Sequence, residues 1–158
     1  RETLVVALAA TSALYLLLYV LHTDSPWVFI VLTLLAGVGL GLFNLLVWAI
    51  IGDVIDHEEV RSGERDDGTV YAVNTWARKL GLALAGGLGG YALSLVGFQS
   101  GQTEQSAATI EGIYTVATLV PGILYAVVAA IFLFWYPLSR ARVAANVATL
   151  AERREADA

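Results

Sequence analysis

The sequence has no cysteine and no methionine, only three prolines, and few charges for its length. Without cysteine there can be no disulfide and no thiolate metal site. Without an initiating methionine, and with Arg1 first, the sequence is expected to be a processed or internal portion of a longer chain. Charged residues make up 15%, against roughly 25% in an ordinary soluble domain. A net charge of −5 and the lack of a basic stripe weigh against nucleic acid as a partner. No G-x-S-x-G, no phosphate-cradling glycine–lysine loop and no H-E-x-x-H occurs, and the two histidines, His22 and His57, lie far apart. An enzyme is not expected, and neither is a bound cofactor.

What the sequence does have is hydrophobic residues, 58% of the total, arranged in rows. Crossing a bilayer as a helix takes about 20 apolar residues in succession. Four such runs stand at about 3–21, 27–51, 70–96 and 110–136. The first is too long for the apolar part of a secretory signal and is followed by further spans. Backbone groups in hydrocarbon must be satisfied within their own segment, so runs of this kind are helices. The expected fold is an all-α membrane protein: a bundle of four transmembrane helices over 1–137. A polar loop at 52–69 joins the second and third. A tail at 138–158 alternates Ala and Val with Arg and Glu and reads as an interfacial or cytoplasmic helix.

Orientation follows from the cations. All nine Lys and Arg fall on one side of this zigzag, and the links at 22–26 and 99–107 contain none. The positive-inside rule therefore puts both ends and the 52–69 loop in the cytoplasm. Small residues suggest where helices touch: Gly37 and Gly41 form a G-x-x-x-G pair with Gly39 between them, and Gly86 and Gly90 form another. Pro121-Gly122 is the candidate for a bend in the fourth helix.

Charges inside a bilayer are costly and need a reason. Lys79 lies nine residues beyond Val70, about 14 Å into its helix. Arg78 points about 100° away from it, so one of the two must look into the bundle. Lys79 is the expected one, sharing a polar stripe with Thr75 at i and i+4, while Arg78 is read as reaching back to the surface. Asp53, Asp56, His57, Glu58 and Glu59 crowd the end of the second helix, where the helix dipole disfavours acids. Arg61, Arg65 or basic residues on a partner segment outside this sequence should compensate. The spacing of Asp53, Asp56 and His57 would also suit a metal, but a solvated acidic helix end is commoner, and no metal is expected. Asp66-Asp67-Gly68 signals a turn.

Residues 49–86 carry a recognisable compound pattern. Gly52-Asp53-Val54-Ile55-Asp56-His57, then Arg61-Ser62-Gly63-Glu64-Arg65-Asp66-Asp67-Gly68, then Ala77-Arg78-Lys79-Leu80-Gly81 resemble the signature of the glycoside–pentoside–hexuronide:cation symporters, the melibiose-permease-like branch of the major facilitator superfamily. Gly112-Ile113-Tyr114, Pro121 and Tyr136-Pro137-Leu138 are similar to landmarks in that family's last helix. The resemblance implies that the four spans are helices nine to twelve of twelve. It further implies transport of a sugar or glycoside coupled to Na⁺ or H⁺, with the remaining helices of the same transporter and the lipid bilayer as partners. On the family's pattern Lys79 matches a lysine near the sugar and cation sites. Asn74 and Thr75 match sugar-proximal positions, and Asn44 stands where the melibiose branch has an aromatic. Asp53, Asp56 and Arg65 match a cytoplasmic charge network that closes the inside. His57 replaces a usual tyrosine and Ser62 a usual threonine. The cation-binding carboxylates belong to helices outside this sequence, so the segment is expected to be inactive alone. Two other readings stay open: a small self-associating membrane scaffold, and one half of a two-chain transporter.

Overall fold

A computed structural model describes residues 1–156. They form five helices and, among the described residues, no strand: α1 Glu2–Leu21, α2 Pro26–Ser62, α3 Asp67–Leu95, α4 Ala107–Phe134 and α5 Arg140–Ala156. Three of them, α1, α2 and α4, are long and apolar enough to cross a membrane. α3 falls short of that description. Arg78 and Lys79 confine its uncharged stretch to residues 80–95, about 24 Å of helix against a hydrocarbon core of about 30 Å.

α1 is the centre of the packing, with α4 on one side and α2 on another, both antiparallel to it. Leu4 and Leu8 of α1 join Ala129 of α4 in the buried cluster. Ser12 Oγ of α1 donates to the Gly122 carbonyl of α4 at 2.7 Å. Tyr114 Oη donates to the Leu18 carbonyl at 2.6 Å. The partners descend in number as α1 ascends, as antiparallel helices require. Towards α2, Thr11 Oγ1 bonds the Ala7 carbonyl at 2.9 Å and reaches the Ala36 carbonyl at 3.4 Å. Ser12 and Thr11 are buried and Tyr114 is half-buried. In an apolar medium an unmet hydroxyl is expensive, so each is answered by a backbone oxygen, and the small side chains let the backbones approach.

The close contacts use different glycines from those the G-x-x-x-G spacing suggested. Gly37, Gly41, Gly86 and Gly90 have no atom within 4 Å of where a Cβ would stand. Gly39 is the one at the α1–α2 contact, where a Cβ would lie 2.0 Å from Thr11 Oγ1. Gly122 plays the same part in α4, its Cβ position falling 2.8 Å from Leu16 Cδ2. The open glycines line faces that this chain leaves bare. α3 has no buried residue at all. It touches α2 near its start, where Trp48 and Tyr71 rings lie 6.4 Å apart, and meets α4 near its end, where Gly112 abuts Val96.

α2 differs most from expectation. Its apolar run ends near Ile51, yet the helix continues to Ser62, 37 residues in all, or about 55 Å. The stretch expected to begin a loop at residue 52 is thus one further helical length that projects beyond the apolar zone. Nothing in 53–62 breaks a helix, since it contains neither proline nor glycine. The stop comes at Gly63, whose φ of 80° is left-handed backbone that glycine adopts without strain. α3 then starts at once: Asp66 caps it by accepting from the Thr69 amide at 3.0 Å. The connecting loop shrinks to residues 63–66.

Candidate functional site

Polar side chains gather in two places, one within the apolar zone and one at its basic end. The first is a cavity of about 340 Å³ between α2, α3 and α4. α2 contributes Asn44, Val47 and Ile51; α3 contributes Asn74 and Arg78; Phe132 borders it from α4, and the space is open on one side, with Asn44 and Arg78 exposed. Asn74 and Arg78 are one helical turn apart, hence on one face. Phe43 borders the same space and meets Phe132 edge-on at 6.4 Å. Asn44 Nδ2 donates to its own helix at the Leu40 carbonyl, 3.0 Å away, which leaves its Oδ1 to accept. No ion pair among the described residues includes Arg78 or Lys79.

Of the four expected substrate residues, the structure brings Asn44 and Asn74 together in this cavity and leaves Thr75 and Lys79 outside it. The latter two sit on an exposed face of α3 about 100° further round. Arg78, read from sequence as reaching back to the surface, is the cation that lines the cavity. The signal that could have found it is the i, i+4 pair Asn74–Arg78, which mirrors the Thr75–Lys79 pair one residue on.

The second cluster answers the acids at the end of α2. Arg65 reaches back from the loop to Glu59 at 2.7 Å, Asp56 at 3.1 Å and Asp67 at 3.0 Å. Its guanidinium is held still further above its ordinary range, first by Glu59 and then by Asp56. Arg61 pairs with Glu58 at 3.3 Å. The tail adds what sequence spacing did not suggest. Arg153 of α5 donates to the Glu59 and Val60 carbonyls at 3.3 and 3.2 Å, meeting the negative end of the α2 dipole. Arg154 lies 3.8 Å from Glu59, and Asn146 Nδ2 is 3.2 Å from His57 Nδ1. The paired arginines in the last turn of an otherwise Ala-rich helix were the available sign.

The three expected gate residues are therefore split. Asp56 and Arg65 meet. Asp53 instead faces a separate cavity of about 240 Å³ with Arg1, Tyr136 and Arg140.

The bundle thus brings two amides and a guanidinium to one cavity. Comparison with known proteins gives its family. The family model described as MFS/sugar transport protein matches residues 1–140. The symporter YjmB of Bacillus subtilis, itself uncharacterized, is 34% identical over 116 residues, 73% of this chain and 25% of its own length. The protein described as a glycoside/cation symporter, YagG, of Escherichia coli is 32% identical over 149 residues, 94% of this chain and 32% of its own. The glucuronide carrier protein homolog of the same organism is 30% identical over 125 residues, 79% of this chain and 27% of its own. No solved structure matches the chain. The chain belongs to the MFS/sugar transport family, in its glycoside–pentoside–hexuronide:cation symporter group. It is a multi-pass membrane protein, and it spans about a quarter to a third of the relatives just named.

Proposed function

We propose that this chain supplies four membrane-crossing helices and one wall of the solute passage in a secondary transporter that moves a sugar or glycoside with Na⁺ or H⁺. The observation that carries this reading is the cavity shared by Asn44, Asn74 and Arg78 in a chain of the sugar-transport family. Carriers place their sites near the bilayer midplane between bundles, where polar groups face a gap. Amides that both donate and accept suit the hydroxyls of a sugar.

α3 is the fourth crossing helix in this reading. Its bare surface, its open glycines and the exposed Thr75–Lys79 stripe face the rest of the transporter and the passage between the two halves. Both ends of the segment and the α2–α3 turn lie in the cytoplasm, where Arg65, Arg153 and Arg154 bind the acidic end of α2. Such surface ion pairs can break and re-form as the inner side opens and closes. Asp56 and Arg65 form the gate, and Asp53 acts separately from them.

The test is uptake of a panel of labelled sugars by the full-length protein in proteoliposomes, with and without imposed Na⁺ and H⁺ gradients. Gradient-dependent accumulation of a sugar is the expected result. Accumulation of none, in vesicles where the protein is folded, refutes the reading.

A further inference from the structure

We propose that Trp48 and Tyr71 form an aromatic platform against which the sugar ring stacks as it leaves the Asn44–Asn74 cavity for the cytoplasm. The inference rests on the transport reading above and adds a second point of contact with the solute.

The two rings lie 6.4 Å apart with 36° between their planes, one on α2 and the other on α3. Both are open: Trp48 is 53% exposed and Tyr71 43%. Aromatic side chains near the end of a span ordinarily belong to an interfacial belt that faces lipid. Trp135 fits that belt, with exposed Ile131 one turn back on its face. Trp48 and Tyr71 stand on faces of another kind. Asn44 is one turn from Trp48 along α2, and Thr75 and Lys79 are one and two turns from Tyr71 along α3. All three polar residues are exposed in this chain. An ammonium within a span faces the bundle interior or a water-filled space rather than hydrocarbon. The aromatic pair shares that polar face, and therefore the passage.

Depth gives the pair its role. Tyr71 is four residues into α3, about 6 Å from the helix start, and Trp48 stands three residues short of Ile51, where the apolar run of α2 ends. Asn44 and Asn74 lie about one turn deeper, while Asp56 and Arg65 meet on the cytoplasmic side. A solute moving from the cavity to the cytoplasm passes the two rings. A sugar carries hydroxyls around its rim and C–H groups on its faces. The amides of Asn44 and Asn74 suit the rim. The rings of Trp48 and Tyr71 suit the faces, each offering a large apolar area and one polar tip. Sites for small solutes combine aromatic walls with a few polar groups in this way.

The experiment uses full-length protein in proteoliposomes and a sugar that it accumulates. Hydroxyl-radical footprinting of the wild type, read by mass spectrometry, requires no substitution. Trp48 and Tyr71 are expected to be oxidised, and saturating sugar to lower the extent at least about twofold at both, with Trp135 unaffected. Trp48→Leu and Tyr71→Leu should raise KM about three- to tenfold, the scale of one lost aromatic contact. Trp48→Phe and Tyr71→Phe should stay within about twofold of wild type, and Trp135→Leu should transport normally. Rings that escape oxidation face lipid and overturn the inference. Oxidation that saturating sugar leaves unchanged also overturns it, and both results hold even if the leucine variants fail to fold. Unchanged KM in folded leucine variants overturns it as well. So does an equal loss in the leucine and phenylalanine variants, which marks packing between α2 and α3 rather than contact with the sugar. Accumulation of no sugar at all fells the transport reading itself.

Discussion

The α1–α2 contact gives the sharpest test of how this bundle is held. In Gly39→Ala the new methyl would stand 2.0 Å from Thr11 Oγ1 and 3.0 Å from the Ala7 carbonyl oxygen, where ordinary contact begins near 3.4 Å. Thr11 is 1% exposed and cannot move aside freely. If it rotates, its bonds to the Ala7 and Ala36 carbonyls are lost, at about 0.5–1.5 kcal/mol each. If instead α1 and α2 part, the cost is that of an overpacked core, about 1–3 kcal/mol. Alanine returns up to about 1 kcal/mol through its better helix propensity. The net expectation is destabilisation by about 1–2 kcal/mol. Gly37→Ala, with no atom within 4 Å, keeps only the propensity gain and should be neutral or stabilising by up to about 1 kcal/mol. Unfolding in mixed micelles, followed by circular dichroism as sodium dodecyl sulfate is added, measures both in the same protein background. Thr11→Ala removes the colliding oxygen, so the double variant should recover much of the loss, giving a non-additive cycle. Equal stability of Gly39→Ala and wild type, or strict additivity with Thr11→Ala, would refute the close-approach account.

Three further outcomes are expected. Arg65→Gln should raise the reactivity of a cysteine placed at Val60 towards a membrane-impermeant reagent on the cytoplasmic side, since Asp56 and Glu59 lose their shared partner; unchanged labelling would count against a gate there. Lys79→Leu in the full-length protein should reduce sugar accumulation at least about tenfold, the scale of one lost charge-assisted contact, whereas Leu84→Ala should not; normal accumulation by the first removes Lys79 from the passage. The third outcome concerns pH. Hydrogen bonds from the Thr69 side chain and then from its amide hold Asp66 below the usual carboxylate range. A depressed carboxylate stabilises the folded form above its unfolded value of about 3.9, and that stabilisation fades as pH falls through the lower folded value. The start of α3 should accordingly fray in acid, below the unfolded carboxylate value, read by amide exchange at Thr69, and Asp66→Ala should abolish the pH dependence.

The apolar rows of this sequence already specify an all-helical membrane protein, because hydrocarbon leaves the backbone no alternative, and residues 49–86 carry enough spacing to name a family. Helix ends were less legible. Polarity marked Gly52 as the start of a loop, but polarity does not break a helix, and α2 runs on until Gly63 takes a left-handed φ. Contacts between helices were the least legible of all. Gly37, Gly39 and Gly41 look alike in sequence, and only the packing of α1 on α2 made Gly39 the point of contact. In the same way Arg78 and Lys79 are adjacent cations of similar depth. The rotation of α3 against α2 and α4 decided that Arg78 shares a cavity with Asn44 and Asn74. Periodicity states which residues share a face, while the packing of one helix on another states what that face meets.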